Sequence, residues 1–367
     1  MNKLVVGNIL HRPLRTVITA VAVGIEVVMI LTIVGVMLGI LKNSQNENNG
    51  IGADIVVQPP SASFITGIGG APVPMAIAGV LGKLPHVAVA SAVTTNLSTV
   101  GRVENIWGID FKSYNALKPF VFLKGGPFRG PDDVIVDDIF AQTGGGRHVG
   151  ETIEVEGHPF TICGIVRHGK GGRKFVPITT LDNLIGSPGH ASMFYLRSDD
   201  PANNQKIIDE IKNTPGLKQY KVETMEHLIS LMTPSHLPGF QAALDSVIGI
   251  AMVVGFLVIF QSMYTAVMER TREIGILKSL GASRLYIIDA ILREAALIAA
   301  VGTIVGMLLT LAVRLAIWRF SPAFSFLIPG EWWGIAAIIA IVGALFGAIY
   351  PAWKAASKDP IDALAYE

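Results

Sequence analysis

Residue types that carry chemistry are thinly spread in this sequence. The run Gly169-Lys170-Gly171-Gly172-Arg173-Lys174 is the nearest approach to a phosphate-binding loop. It lacks the G-x-x-x-x-G-K-[ST] spacing and the hydroxyl that hold phosphates and magnesium. No H-E-x-x-H, G-x-S-x-G or Cys/His cluster occurs, and the eight histidines are scattered without metal-ligand spacing. Cys163 is the single cysteine and sits in the alternating run FTICGIV, so a buried core thiol is expected. Neither catalysis nor a directly bound cofactor or metal is expected of this chain. Two features still ask for a role: a glutamate inside an apolar run, Glu26, and the charged stretch MERTREIGILKSLGAS, Met268–Ser283.

Met268–Ser283 lies between two long apolar runs and is too charged to continue either. Glu269, Arg270, Arg272, Glu273 and Lys278 mark it as solvent-facing, while Met268, Ile274, Ile276, Leu277 and Leu280 give it an apolar side at roughly helical spacing. Gly281 suits a helix C-terminus and Ser283 the N-cap of the next helix. Periodicity alone leaves two readings open, a polar loop and a docking helix.

Glu26 is costly within a membrane span, about 2.5 kcal/mol or more on insertion scales, so intramembrane carboxylates are functional candidates. The alternative is that it packs against polar groups of a neighbouring span. The glycine-rich apolar loop Ser61–Pro74, with Phe64, Ile65 and Ile68, is either a contact for substrate, partner or membrane, or a loop packed on its own domain.

The elements that position these residues follow from composition. Half of the 367 residues are hydrophobic and 16% charged, with mean hydropathy +0.51, which points to the membrane class. A net charge of +1 gives no case for nucleic acid. Four runs are long enough to cross a bilayer: Thr16–Leu41, Val247–Val267, Ala295–Trp318 and Trp332–Tyr350. The first exceeds a signal-peptide core and no small-residue cleavage site follows it, so a retained anchor is expected. Lys3, Arg12 and Arg15 precede it. Arg270, Arg272, Lys278, Arg284 and Arg293 lie between the second and third runs, and Lys354 and Lys358 follow the fourth. The positive-inside rule then puts both termini and 268–294 in the cytoplasm, with residues 42–244 outside.

The outside segment reads as mixed α/β. Strands are expected at Asp54–Gln58, Val87–Val93, Asn105–Asp110, Val134–Asp137, Thr152–Val155, Thr161–Arg167 and Met193–Leu196, with a hairpin turn at Glu156-Gly157-His158. Short helices are expected at Met75–Leu84, Thr180–Leu184, Ala202–Asn213 and Glu223–Leu231. Three G-x-x-x-G pairs, Gly35/Gly39, Gly302/Gly306 and Gly343/Gly347, favour close helix approach within a bundle or across a dimer.

One span, a large outside domain, then three spans with a basic cytoplasmic segment is the layout of the MacB/FtsX superfamily of ABC transporter permeases, which the chain closely resembles. Its markers are Arg15-Thr16, GADIVVQP at Gly52–Pro59, FTICGIV ending at Val166, ERTREIGILKSLGAS at Glu269–Ser283, and YPAWKAASKDPIDAL at Tyr350–Leu364. The last two are the specific ones.

The resemblance implies a membrane protein of four transmembrane helices with a two-lobed mixed α/β extracytoplasmic domain inserted between the first and second spans. The corresponding ranges are a cytoplasmic segment 1–15, a first span 16–41 and a MacB-like domain 42–244. Lobe one covers about 50–110 plus 198–232, and lobe two about 111–197. An FtsX-like part 245–367 carries spans 247–267, 295–318 and 332–350 around the coupling segment 268–294. The resemblance further implies a multi-pass protein of the inner (plasma) membrane that dimerises with a second permease copy, as a homodimer or heterodimer. It implies that Glu269, Arg270, Glu273, Ile274, Gly275, Leu277, Lys278, Leu280, Gly281 and Ser283 dock a cytoplasmic ABC ATPase. ATP and Mg would be held by that partner, expected in trans because no ATPase domain is fused here. A periplasmic adaptor is a further expected partner. The family's work is export or efflux, lipoprotein extraction, or control of a cell-wall hydrolase, and these residues do not choose among them. Glu26 departs from the family, where many relatives carry a small residue.

Overall fold

Apolar runs too long for a soluble core form helices because a helix satisfies its own backbone donors and acceptors. The computed structural model describes residues 13–62, 71–98, 104–143, 146–237, 239–320 and 325–358. Four helices are long and apolar enough to cross a membrane. They are α1 (Pro13–Ile51) and, after the α/β segment, α8 (Phe240–Glu269), α10 (Arg284–Phe320) and α11 (Gly330–Ser357), with the short α9 (Thr271–Ser279) between α8 and α10. Each runs beyond the apolar stretch that announces it. α1 continues past Leu41 through the polar run Lys42–Asn49, which the spacing of apolar residues had ended. Tertiary contacts sustain the extra turns: Gln45 Nε2 donates to the Met232 carbonyl at 2.7 Å, and Asn48 Nδ2 to the Met232 sulfur at 3.8 Å. α10 starts at Arg284 rather than Ala295, because its first turns are amphipathic. Ile287 is buried while Asp289 and Arg293 pair at 2.9 Å on the exposed side.

The chain divides into two units, a helical one holding α1 up to Gly39, Gly239–Phe320 and the chain from Phe326, and an α/β one beginning at Ile40. Glycines set the helix contacts of the first. A Cβ on Gly302 would lie 2.6 Å from the Ala20 carbonyl oxygen, and one on Gly306 2.6 Å from that of Gly24, so this pair lets α10 approach α1. Gly347 does the same for α11 against α8, where its Cβ would meet the Phe256 oxygen at 2.7 Å. Gly35 instead receives Phe326 and Ile328, and its carbonyl accepts from Leu327 N at 2.9 Å.

The α/β unit consists of β1 (Ile55–Gln58), β2 (Val73–Pro74), α2 (Ile77–Leu81), β3 (Val87–Ser98), β4 (Glu104–Ile109), α3 (Phe111–Leu117), β5 (Phe122–Gly125), β6 (Asp133–Asp137), α4 (Asp138–Gln142), β7 (Thr152–Val155), β8 (His158–Val166), β9 (Lys174–Pro177), α5 (Ile178–Leu184), β10 (His190–Ala191), β11 (Met193–Ser198), α6 (Asn204–Asn213), β12 (Lys221–Thr224) and α7 (Met225–Leu231). Ten strands form one sheet in the order β12-β1-β11-β3-β4-β9-β6-β8-β5, with β7 also on β8. The β4–β9 and β6–β8 pairs are parallel. This sheet is continuous, so the lobe boundary expected at 197 falls inside β11, which pairs with β1 and β3. Both faces are covered: Ile55 and Val57 of β1 enter one core with Ile207, Ile208 and Ile211 of α6, while Val56 enters another with Trp107, Tyr114 and Phe175. Glu156 and Gly157 adopt φ of 52° and 72°, the turn geometry that closes β7 on β8 where Val155 faces His158.

Two buried charges shape this unit. Lys170 Nζ donates to the carbonyls of Ile51 at 3.1 Å and Lys118 at 2.6 Å, tying the end of α1 to the loop before β9; burial pushes its ammonium down to about 7. Asp137 caps α4 by accepting from Phe140 N at 2.6 Å, and burial pushes its carboxyl up to about 7. Cys163 is buried with its thiol pushed up to about 12 by burial, as a core cysteine requires.

Candidate functional site

Met268–Ser283 is helical for most of its length. α8 ends at Glu269, and Arg270 turns the chain at φ −108°, ψ 18°. Thr271 Oγ1 donates back to the Met268 carbonyl at 2.9 Å, and α9 follows. Gly281, at φ +92°, terminates it: Gly281 N donates to the Lys278 carbonyl and Ala282 N to that of Leu277, both at 3.0 Å. Those two bonds and the left-handed glycine make a Schellman closure. Ser283 Oγ then accepts from Tyr286 N at 3.2 Å, the N-cap expected of it.

At about 100° per residue, Thr271, Ile274, Gly275 and Lys278 share one face of α9. Thr271 and Gly275 are buried, and Ile274 packs on the cluster of Val267, Ile287, Ala355 and Ala356. Lys278 Nζ donates to the Ala356 carbonyl at 3.0 Å and to that of Lys358, satisfying acceptors at the negative end of α11. Arg270 Nη1 reaches both carboxylate oxygens of Glu294 in α10, at 3.1 and 3.3 Å, with both residues buried. α9 is thus held at its start by an ion pair to α10 and at its end by a lysine on α11.

The opposite face is open. Arg272, Glu273, Ile276 (45% exposed) and Leu280 (80% exposed) project from it, with Leu285 (76% exposed) just beyond. The expected coupling residues therefore separate. Glu269, Glu273, Leu280, Gly281 and Ser283 are exposed, Ile274, Leu277 and Lys278 half-buried, and Arg270 and Gly275 buried. Ile276 and Leu280 correct the expected apolar side: they fall opposite Thr271 and Lys278 and leave the buried face. Leu285 and Glu294 were missed, since an exposed leucine one turn into a new helix and an acid 24 residues from its partner have no local periodicity to announce them.

Glu26 is buried at 4% exposure, and a Cβ on Gly255 of α8 would land on its carboxyl group. Its Oε1 has no hydrogen-bond partner among the described residues. The polar neighbour weighed as its alternative explanation is thus replaced by a glycine gap. One turn or more away, Thr19 Oγ1 and Ser262 Oγ join α1 to α8 at 2.6 Å. Phe64, Ile65 and Ile68 lie outside the described residues. No group of three metal-ligating side chains occurs among the described residues.

The family model for the MacB-like periplasmic core domain matches residues 16–214, more than half of the chain, and that for the FtsX-like permease C-terminal matches 246–360. The chain belongs to the MacB/FtsX superfamily of ABC transporter permeases. Among its relatives is the macrolide export ATP-binding/permease protein MacB of Neisseria meningitidis, 30% identical over 248 residues that span 64% of this chain and 38% of that protein. The pyoverdine export ATP-binding/permease protein PvdT of Pseudomonas savastanoi pv. phaseolicola is 28% identical over 379 residues, 92% of this chain and 57% of the relative. The permease YknZ of Bacillus subtilis is 28% identical over 241 residues, 60% of this chain and 57% of that protein. The solved periplasmic region of MacB from Actinobacillus actinomycetemcomitans aligns with 50% of this chain and 94% of its own, at 16% identity and a TM-score of 0.40. This superfamily's α/β domain is of the extracytoplasmic type, inserted here between the first and second membrane helices.

Proposed function

We propose that the chain is the permease subunit of an ABC system in which a separate cytoplasmic ATPase drives movement of the α/β domain outside the membrane. The observation that carries this reading is the exposed face of α9. Arg272, Glu273, Ile276 and Leu280 combine charge with unburied apolar surface on a helix whose other face is fixed by Arg270–Glu294 and Lys278. A mixed face on a rigidly held helix suits protein docking, because little side-chain or backbone order remains to be lost on association. The cations of 268–294, the N-terminal segment and the tail favour placing this face and both termini in the cytoplasm of an inner-membrane protein.

In this reading ATP and Mg bind the partner, which acts in trans, and no side chain here performs catalysis. The permease works as a dimer, and its α/β domain meets a periplasmic adaptor during export or substrate extraction. The relatives MacB and PvdT are a macrolide export and a pyoverdine export protein, which supports export over control of a cell-wall hydrolase. Co-purification of the tagged chain with its ATPase, followed by ATPase assay in nanodiscs, tests the reading. Glu273→Lys and Leu280→Asp should release the ATPase while leaving thermal stability unchanged. A complex that survives both substitutions with coupled hydrolysis intact refutes docking at α9. Vesicle efflux that is absent while a hydrolase binds the α/β domain would select the regulatory member of the family instead.

A further inference from the structure

A cavity of about 520 Å³ opens within the α/β unit, between the last turns of α1, the face of β1, β11, β3, β4 and β9, and α7. Its size falls in the range that encloses drug-sized molecules. Three of its lining side chains are more than nine-tenths buried and each ends in a polar atom without a hydrogen-bond partner among the described residues: Glu47 Oε1, Gln58 Oε1 and Trp107 Nε1. Buried polar atoms are nearly always paired, so three unpaired ones around a single cavity ask for a shared explanation.

We propose that this cavity binds an amphipathic molecule carrying a cationic amine with N–H donors and a nearby acceptor oxygen. The amine answers Glu47, whose other oxygen is already engaged by Gly171 N at 3.1 Å, and a second donor answers Gln58. The acceptor answers the Trp107 indole N–H. Lys174 pairs with Glu104 in the same wall, and the positive charges that reach Glu47 are those of Arg173 and His168, neither of which hydrogen-bonds its Oε1. Met193 and Met232 supply apolar surface that adapts to an irregular shape. The indole is held for the purpose. Tyr195 stacks on it at 6.1 Å and 7°, and Cβ atoms at Gly171 and Gly172 would strike it at 2.6 and 2.5 Å, so only glycine backbone fits over that ring. The site extends the permease reading to a ligand of the outside domain, and its binding requires no ATPase.

The test uses the full chain in lipid nanodiscs and rhodamine 6G, a cationic dye with two ethylamino N–H groups and an ester carbonyl, followed by fluorescence polarisation against empty nanodiscs. Saturable binding at one dye per chain is expected. Glu47→Gln should weaken it tenfold or more. Asn43→Trp, which fills the cavity from α1, should abolish it with the thermal midpoint retained. The anionic dye 8-anilinonaphthalene-1-sulfonate should not saturate. Absence of saturable rhodamine binding, or an unchanged Kd in Asn43→Trp, overturns the site and assigns the cavity to water. An unchanged Kd in Glu47→Gln, or saturable binding of the anionic dye, overturns the amine assignment. Each of these failures leaves docking at α9 untouched, since no ATPase enters the measurement.

Discussion

Arg270 Nη1 donates to both oxygens of the Glu294 carboxylate, and this buried contact joins the turn before α9 to the first third of α10. Removing one partner deprives the other buried charge of this ion pair, and breaking a buried pair typically costs about 3–5 kcal/mol. Arg270→Ala and Glu294→Ala should each lower the thermal midpoint sharply. The paired replacement Arg270→Met/Glu294→Leu should recover most of the loss, because two apolar groups carry no charge to be buried. A double variant as unstable as the sum of the singles would contradict this account.

Glu26 and Gly255 are predicted to be coupled. Gly255→Ala puts a methyl where the Glu26 carboxyl now lies, so it should destabilise the helical unit by about 1–3 kcal/mol through overpacking. In the Glu26→Ala background the same methyl no longer meets the carboxyl group, and the penalty should fall. A double-mutant cycle on thermal midpoints in nanodiscs reads the coupling directly. Additive effects would remove the contact from the argument. Glu26→Gln, which keeps the shape, separates charge from packing: coupled ATPase activity unchanged in that variant returns Glu26 to a purely structural role.

Lys170 should make stability rise with pH. Its folded-state value, about 7, lies below the ordinary 10.5, so the unfolded chain binds the extra proton between those limits. The cost of burying the ammonium is complete below about pH 7 and is relieved as pH climbs toward 10.5. Relative to Lys170→Met, the native protein should therefore gain stability from pH 7 to pH 10. Parallel midpoint curves for the two proteins across that range would contradict the shift.

Asp137 slopes the other way in an adjacent window. Its carboxyl titrates near 7 folded against 3.8 ordinarily, so the folded chain holds the extra proton and stability falls as pH rises between the two. Asp137→Asn keeps the acceptor for Phe140 N and removes the buried charge. The variant should gain on the native protein from pH 4 to 7 and hold a constant advantage above. Asp137→Ala loses the cap as well, at about 1 kcal/mol at every pH.

Much of this architecture is legible in the residues, for stated physical reasons. Thr16–Leu41 and its three counterparts announce helices because bilayer-length apolar runs have few other uses. Ile207, Ile208 and Ile211 announce α6 through their period, and Glu156-Gly157 announces a hairpin through turn chemistry. β5, β9 and β12 escaped because each is short and carries charge: Lys124 lies in β5, Lys221 and Glu223 in β12, and Lys174 begins β9 with a buried charge that reads as loop. The polar end of α1 escaped because its helicity is owed to Met232, remote in sequence. The place of Met268–Ser283 between two long helices was readable, but which of its sides turns inward was not. Which of Arg270, Ile276 and Leu280 turns inward depends on Glu294 and Ala356, and no local pattern encodes those partners.

The placement of β1 has a consequence for how the protein is made. Ile55 pairs with Leu196 on one side and with Thr224 on the other, so the strand that leaves the ribosome first waits for the two made last. Loop closure over such separations is slow, and the later pairs β6–β8 and β4–β9 can close before it. Until β11 is synthesised both edges of Ile55–Gln58 are unpaired, and one edge stays open until β12 follows. That interval is when the nascent domain most needs shielding, and a delay before Lys221 is where its assembly would fail by strand-edge aggregation.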